Sequence, residues 1–163
     1  MDMTELNKII EVTVVKPQVF GLFCEYYGKE MLLLIPETSW VASYNSALQF
    51  AQKGDQLKVK VIDYSEEKDQ YSISIKSIYP NPWKNDSFKV GNIYKSFIRR
   101  KVNQADRLNY NSGYLVEIIP GSFVMLDSEG ENFEENEVCE VVITQIDERK
   151  YALKIELTKA NST

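Results

Sequence analysis

Two stretches of the chain carry the same strand, turn and strand pattern, and they restrict its fold more than any other feature. In LKVKVIDYSEEKDQYSISIK, residues 57–76, Leu57, Val59 and Val61 alternate with Lys58, Lys60 and Ile62; after a polar turn Tyr71, Ile73 and Ile75 alternate with Ser72, Ser74 and Lys76. Such alternation marks strands with one buried and one wet face, so the stretch predicts an antiparallel hairpin. CEVVITQIDERKYALKIEL, residues 139–157, repeats it, with Cys139, Val141 and Ile143 on one side, then Tyr151, Leu153, Ile155 and Leu157 after a turn read as two residues shorter. Tyr71 and Tyr151 are predicted to open the second strand of each hairpin.

The repeat extends upstream. Gly21-Leu22-Phe23-Cys24-Glu25 matches Gly113-Tyr114-Leu115-Val116-Glu117, and each is followed by a strand-like run, MLLLI or SFVML. Helical periodicity is scarce, and each copy then holds about five strands in roughly 75 residues, too few for a large sandwich; closing them into a small barrel hides the edges, as in an OB fold. The expected architecture is all-β: two tandem five-stranded OB-fold barrels, residues 1–80 and 88–163, joined by a Pro-rich linker at 81–87. Pro80 and Pro82 in SIYPNPWKNDS lack amide donors and interrupt any ladder there. One helical insert is expected in SYNSALQFAQKG, with Ser43 or Asn45 as its cap and Gly54 after its end.

Composition narrows the function. The chain has no histidine and only two cysteines, Cys24 and Cys139, each inside a strand-like pattern, so the usual zinc and haem ligands and the commonest general base are missing. The cysteines read as small buried side chains in a reducing, cytoplasmic compartment rather than as a disulfide. No enzyme activity and no cofactor are expected, and neither a membrane span nor a signal peptide is evident. A net charge of -5 argues against nucleic acid, but its distribution does not: Lys84 to Arg107 holds seven basic residues against two acidic, whereas Asp127 to Glu148 holds nine acidic residues and no basic one.

VFGLFCE, LIPETSW and FAQKGDQLKVKVIDYSEEKDQYSISIK stand in the order and at the spacings of the Phe-Gly-x-Phe-Val, Gly-Leu-Val-His-x-Ser-Glu and Gly-Asp-x-Val-x-Val-Lys-Val-x-x-x-Asp motifs of the S1-type RNA-binding domain. The first copy, residues 9–83, resembles that family, and Pro80-Asn81-Pro82-Trp83 is similar to the junction following repeats of the ribosomal protein of that name. The second copy keeps only the strand pattern and a few residues.

The resemblance implies a single-stranded RNA site on the barrel face, where aromatic rings stack bases beside a histidine, an aspartate and an arginine. Carried over by position, the rings fall on Phe20 and Phe23 and the aspartate on Asp63; Pro36 occupies the histidine position and Gln70 the arginine position. Stacking is left without its electrostatic partner, which implies weak binding. In the second copy Ser112 and Leu115 replace the rings, while the link between its first two strands is lengthened and carries Arg99, Arg100, Lys101 and Arg107, a candidate second contact region.

Each of these residues also has a plain structural reading. Phe20 and Phe23 are core unless Gly21 permits a bulge that brings both rings to one face. Asp63 is a turn residue or a site residue, and the Arg99-Arg100-Lys101 run a solvated strand end or a phosphate clamp. DSEGENFEENE, residues 127–137, reads as a solvated loop, and Tyr26, Tyr27, Trp40 and Tyr44 mainly as packing. Two functions follow: a non-catalytic binder of single-stranded RNA, or a protein-interaction module that kept the scaffold and lost the RNA site, with a protein partner in place of RNA.

Overall fold

The computed structural model describes residues 5–102, 113–127 and 132–158. The chain is all-β apart from short helical turns, and it divides into two compact units: residues 1–39 with 45–80, and residues 40–44 with 81–163.

In the first unit β1 (Ile9–Pro17), β2 (Gly21–Tyr26), β3 (Lys29–Leu34), β4 (Gln56–Ser65) and β5 (Gln70–Ser74) close into a barrel. Antiparallel ladders join β1 to β2 and β4, β2 to β3 and β4 to β5; the closing ladder, β3 to β5, is parallel through Met31↔Tyr71 and Leu32↔Ser72. The alternation read in the sequence decides which side faces in. Leu57, Val59, Val61, Tyr71, Ile73 and Ile75 are all buried, with Val12, Val14, Leu22, Cys24, Met31 and Leu33 from the other strands.

The second unit repeats this order with β6 (Ile93–Val102), β7 (Gly113–Ile119), β8 (Ser122–Asp127), β9 (Val138–Asp147) and β10 (Ala152–Leu157), paired as β10-β9-β6-β7-β8. Its core gathers Ile98, Tyr114, Val116, Val124, Leu126, Cys139, Val141, Ile143, Leu153 and Ile155. Even the irregularities recur: the bulge between Val14 and Lys16 in β1 returns between Ile98 and Arg100 in β6, each against the middle of the next strand. No ladder joins β8 to β10 among the described residues. Residues 40–44 bond to both sides of that place: Trp40 N donates to Gly121 O (3.0 Å), Ala42 N donates to Tyr151 O (2.8 Å), and Met125 N donates to Ser43 Oγ (2.7 Å), while Val41 enters the core.

That strap alters several expectations. The insert is no helix from Ser43 or Asn45 but a single 3-10 turn, Ala47–Gln49, whose cap is Ser46, with Oγ accepting from Leu48 N (3.2 Å). A helix begun at Ser43 would take its hydroxyl from Met125 N, whereas Gly54 does end the insert, in a turn at φ +94°. Residues 81–87, expected as a linker, are grouped with the second unit, and the Trp83 ring meets Phe88 and Tyr151 edge-on at 5.0 and 5.8 Å.

The two hairpins are equally long, contrary to the shorter second turn: Val61 pairs with Ile73 and Ile143 with Ile155, so Leu153, not Tyr151, takes the place of Tyr71. Tyr151 instead corresponds to Asp69. Both adopt left-handed φ (53° and 46°), and Tyr151 is exposed rather than inward-facing. Tyr27 likewise stands outside the core: with Gly28 it forms the β2–β3 turn, φ 47° and 79°, and is 89% exposed.

Candidate nucleic-acid interface

β2 begins from a tight turn. Gln18 N donates to Gly21 O (2.9 Å), Ile35 N to Phe20 O (3.2 Å) and Ala47 N to Val19 O (2.9 Å), so the backbone just ahead of the strand is pinned on both sides. From there Leu22 and Cys24 turn inward while Phe23 and Glu25 turn outward, as a strand requires. Phe20, before the strand proper, is 50% exposed, and its ring meets Phe23 edge to face at 5.8 Å and 85°. The two rings therefore share one surface.

The cause is not the one expected. Gly21 carries no bulge: β2 and β3 stay in register from Gly21↔Leu34 to Tyr26↔Lys29, and the bulge lies across from it on β1, between Val14↔Cys24 and Lys16↔Phe23. Gly21 is needed for close approach. A Cβ there would lie 2.7 Å from Leu33 O and 3.2 Å from Leu34 Cα, both backbone atoms of β3.

Following the register sideways assembles the site. Lys16 faces Phe23, Phe23 faces Leu32, Leu32 faces Ser72, and Ser72 faces Asp63, so five strands contribute one outward-facing residue each to a continuous row around the barrel. Asp63 sits just past a bulge in β4, after Val61, and its Oδ1 accepts from Tyr64 N (2.8 Å), which fixes the carboxylate close to the backbone. Leu34, 42% exposed beside Gly21, extends the apolar part. The row thus offers two aromatic faces and two leucines between a lysine and a carboxylate. Lys16, Leu32 and Ser72 escaped the sequence reading because their place depends on a bulge and a parallel ladder, neither of which has a local signature.

Gln70 stands one step off this row, on the same face of β5, and its Nε2 donates to Glu30 Oε2 (3.1 Å). Pro36 is exposed in the first turn of a four-residue helix, Ile35–Thr38. Arg99, Arg100 and Lys101, expected on a lengthened link, belong to β6, which runs on to Val102 because Arg100, Lys101 and Val102 pair with Leu115, Tyr114 and Gly113. Arg107 lies outside the described residues. Leu115, at the position of Phe23, is 0% exposed, so that position of the second unit is closed where the first unit's is open.

Burial pushes the Cys24 thiol up to about 12 and the Cys139 thiol, helped by nearby Glu137, up to about 11, so both stay protonated and unreactive at neutral pH. The Tyr64 hydroxyl donates to Asp69 Oδ1 (2.6 Å), which raises its pKa to about 12. No cluster of acidic residues and cysteines positioned to hold a metal occurs among the described residues, and none of their helices is long and apolar enough to cross a membrane.

No protein-family model matches the chain. It is 30% identical over 115 residues to the small ribosomal subunit protein bS1 homolog of Bacillus cereus, covering 69% of this chain and 28% of that protein. With the bS1 homolog of Bacillus subtilis the identity is 22% over 171 residues, covering 98% of this chain and 42% of the relative. The chain is S1-like. A 100-residue stretch is also 32% identical to part of the 4-hydroxy-3-methylbut-2-enyl diphosphate reductase of Clostridium acetobutylicum, covering 57% of this chain but 15% of that enzyme. The S1-like chain spans less than half the length of each of these relatives.

Proposed function

We propose that the chain is a non-catalytic binder of single-stranded RNA, and that the outward row of the first barrel is where RNA lies. The observation that carries this reading is the shared surface of Phe20 and Phe23, open to solvent and bordered by Lys16 and Asp63. Bases stack on such rings for about 1–3 kcal/mol each. Because the rings are perpendicular, a base lying flat on one meets the edge of the other, so the pair grips one base at a time rather than two stacked in parallel. Asp63 accepts hydrogen bonds from base amino groups, and Ser72 both donates and accepts.

The polar half of the site is thin. Gln70 is held by Glu30 and Pro36 offers no donor, which leaves Lys16 as the cation of the row and makes weak binding the expectation. The basic end of β6, Arg99, Arg100 and Lys101, together with Arg107, is a separate contact for phosphates that adds affinity without reading sequence. Likeness to bS1 proteins supports RNA as the ligand class, through the S1-type domain they share with this chain.

Fluorescence anisotropy of labelled oligo(U) at low salt tests the reading with the wild type and the Phe20→Ala, Phe23→Ala double variant. Binding by the wild type and its loss in a double variant that retains its circular dichroism spectrum are expected. Absence of wild-type binding, or equal binding by the folded variant, would overturn the stacking site.

A further inference from the structure

A second surface of the first barrel, on the flank of β1 away from β4, has an unfilled strand edge. Val14 N donates to Asp55 O (2.9 Å), Gly54 N donates to Val14 O (2.8 Å) and Val61 N donates to Lys8 O (2.9 Å), so even-numbered residues of this segment direct their backbone groups toward β4. In an antiparallel ladder the odd-numbered residues direct theirs the other way. Thr13 meets Glu25 of β2 there, but β2 ends at Tyr26 and turns off through Tyr27 and Gly28, so Ile9 and Glu11 have no strand opposite them on that side among the described residues. An unpaired pair of backbone donors and acceptors on a strand is a template for another strand.

A groove of about 620 Å³ runs beside this edge, lined in part by Ile9, Glu11, Val15, Glu25, Tyr26 and Tyr27. Ile9 is 51% exposed and Tyr27 89%, and the Tyr26 and Tyr27 rings stand perpendicular at 4.7 Å, forming a corner with two aromatic surfaces. Glu25 faces Glu30 across β2 and β3, so carboxylates collect on the β2 side of this flank, while Lys60 and Lys58 stand opposite Ile9 and Glu11 on the β4 side. Carboxylates with aromatic rings suit lysine and arginine side chains and repel phosphates.

We propose that this edge is a docking site for an extended basic segment of a partner protein, which adds as a strand beside Ile9–Glu11 and sets lysine or arginine side chains against Glu11, Glu25 and the Tyr26–Tyr27 corner. The backbone edge supplies the pairing and the carboxylates supply the selection. It lies further along β1 and β2 from the Phe20–Phe23 row and shares no residue with it, so it can be tested separately from RNA binding.

Two capped hexapeptides serve as probes, one alternating lysine with valine and the other glutamate with valine, titrated into the ¹⁵N-labelled full chain. The basic peptide is expected to shift the amides of Ile9, Glu11 and Tyr27 and to slow hydrogen exchange at Ile9 and Glu11, while the acidic peptide leaves them unchanged. Ile9→Pro removes a donor from the free edge without touching the β4 ladder, at a strand's first residue where proline is tolerated, and should abolish the response. The Glu11→Lys, Glu25→Lys double variant, whose surface changes leave the core intact, should exchange the preference for the acidic peptide. Equal response to both peptides, no response at these amides, an unchanged preference in the charge-reversed variant, or the same amides moving with oligo(U) would each overturn the proposal.

Discussion

The two barrels repeat one pattern of strands and bulges and differ in what they leave uncovered. At equivalent positions on the second strand, Phe23 is outward and partly exposed with Phe20 against it, whereas Leu115 is fully buried. Opposite them, beyond the same bulge, stand Lys16 and Arg100. The scaffold is therefore repeated, but the open ring at this position is not. Closure differs as well: the first barrel closes by the parallel β3–β5 ladder, while in the second unit residues 40–44 bond where that ladder would run. A backbone plan can be duplicated without its site, because the site depends on outward residues that contribute little to folding.

The largest test of this contrast is the strap. Val41 is 2% exposed in the second core, and Val41→Asp, which places a carboxylate among apolar side chains, should destabilise the second unit by about 3 kcal/mol or more. Hydrogen exchange should show β7 and β9 losing protection while β2 and β4 keep theirs. Unchanged protection in β7 would mean that the second unit does not need the strap. Next comes Gly21→Ala, which forces a methyl against Leu33 O; the cost expected in urea denaturation is about 1–3 kcal/mol, assigned to the first unit. A neutral result would leave the glycine without a packing reason.

Both features mark where the sequence stopped being readable. Strand alternation in residues 57–76 and 139–157 marks the buried faces, Tyr151 apart, because period-two patterning is local. Phe20 and Phe23 share a face, yet not through a bend at Gly21: the bulge belongs to Val15, on the opposite strand, where nothing in VTVVKP announces it. The sequence leaves Arg99–Lys101 between a lengthened link and a strand end, and the pairing of Arg100 and Lys101 with Leu115 and Tyr114 decides for the strand. Tyr151 was matched to Tyr71 by residue type, which register overruled. The strap was invisible, since a short segment between two elements of one barrel gives no sign that it belongs to another unit.

A smaller effect is expected from Phe23→Leu, which writes the second barrel's residue into the first. The side chain is partly exposed, so stability should change by no more than about 0.5 kcal/mol, while oligo(U) affinity falls by about 1–3 kcal/mol with the loss of one stacking face. Full retention of affinity would mean that the ring is packing, as Leu115 is, and the difference between the barrels would lose its functional meaning.

The finest distinction is electrostatic. Each phosphate neutralised on a single strand contributes about 0.7 to the slope of log affinity against log salt, so cations that touch RNA can be counted. Lys16→Ala should lower the slope by about 0.7 if RNA follows the row from Phe23, and Arg99→Ala with Lys101→Ala should lower it by about twice that if the basic end of β6 also meets phosphate. Because the chain carries a net charge of -5, its overall field opposes RNA, and only cations in contact can produce a slope of this size. A slope that falls for Lys16→Ala and stays unchanged for the β6 pair would confine binding to the first barrel, making the second a retained scaffold without a site; the reverse would move the phosphate contact to the barrel in which a buried leucine stands at the place of Phe23.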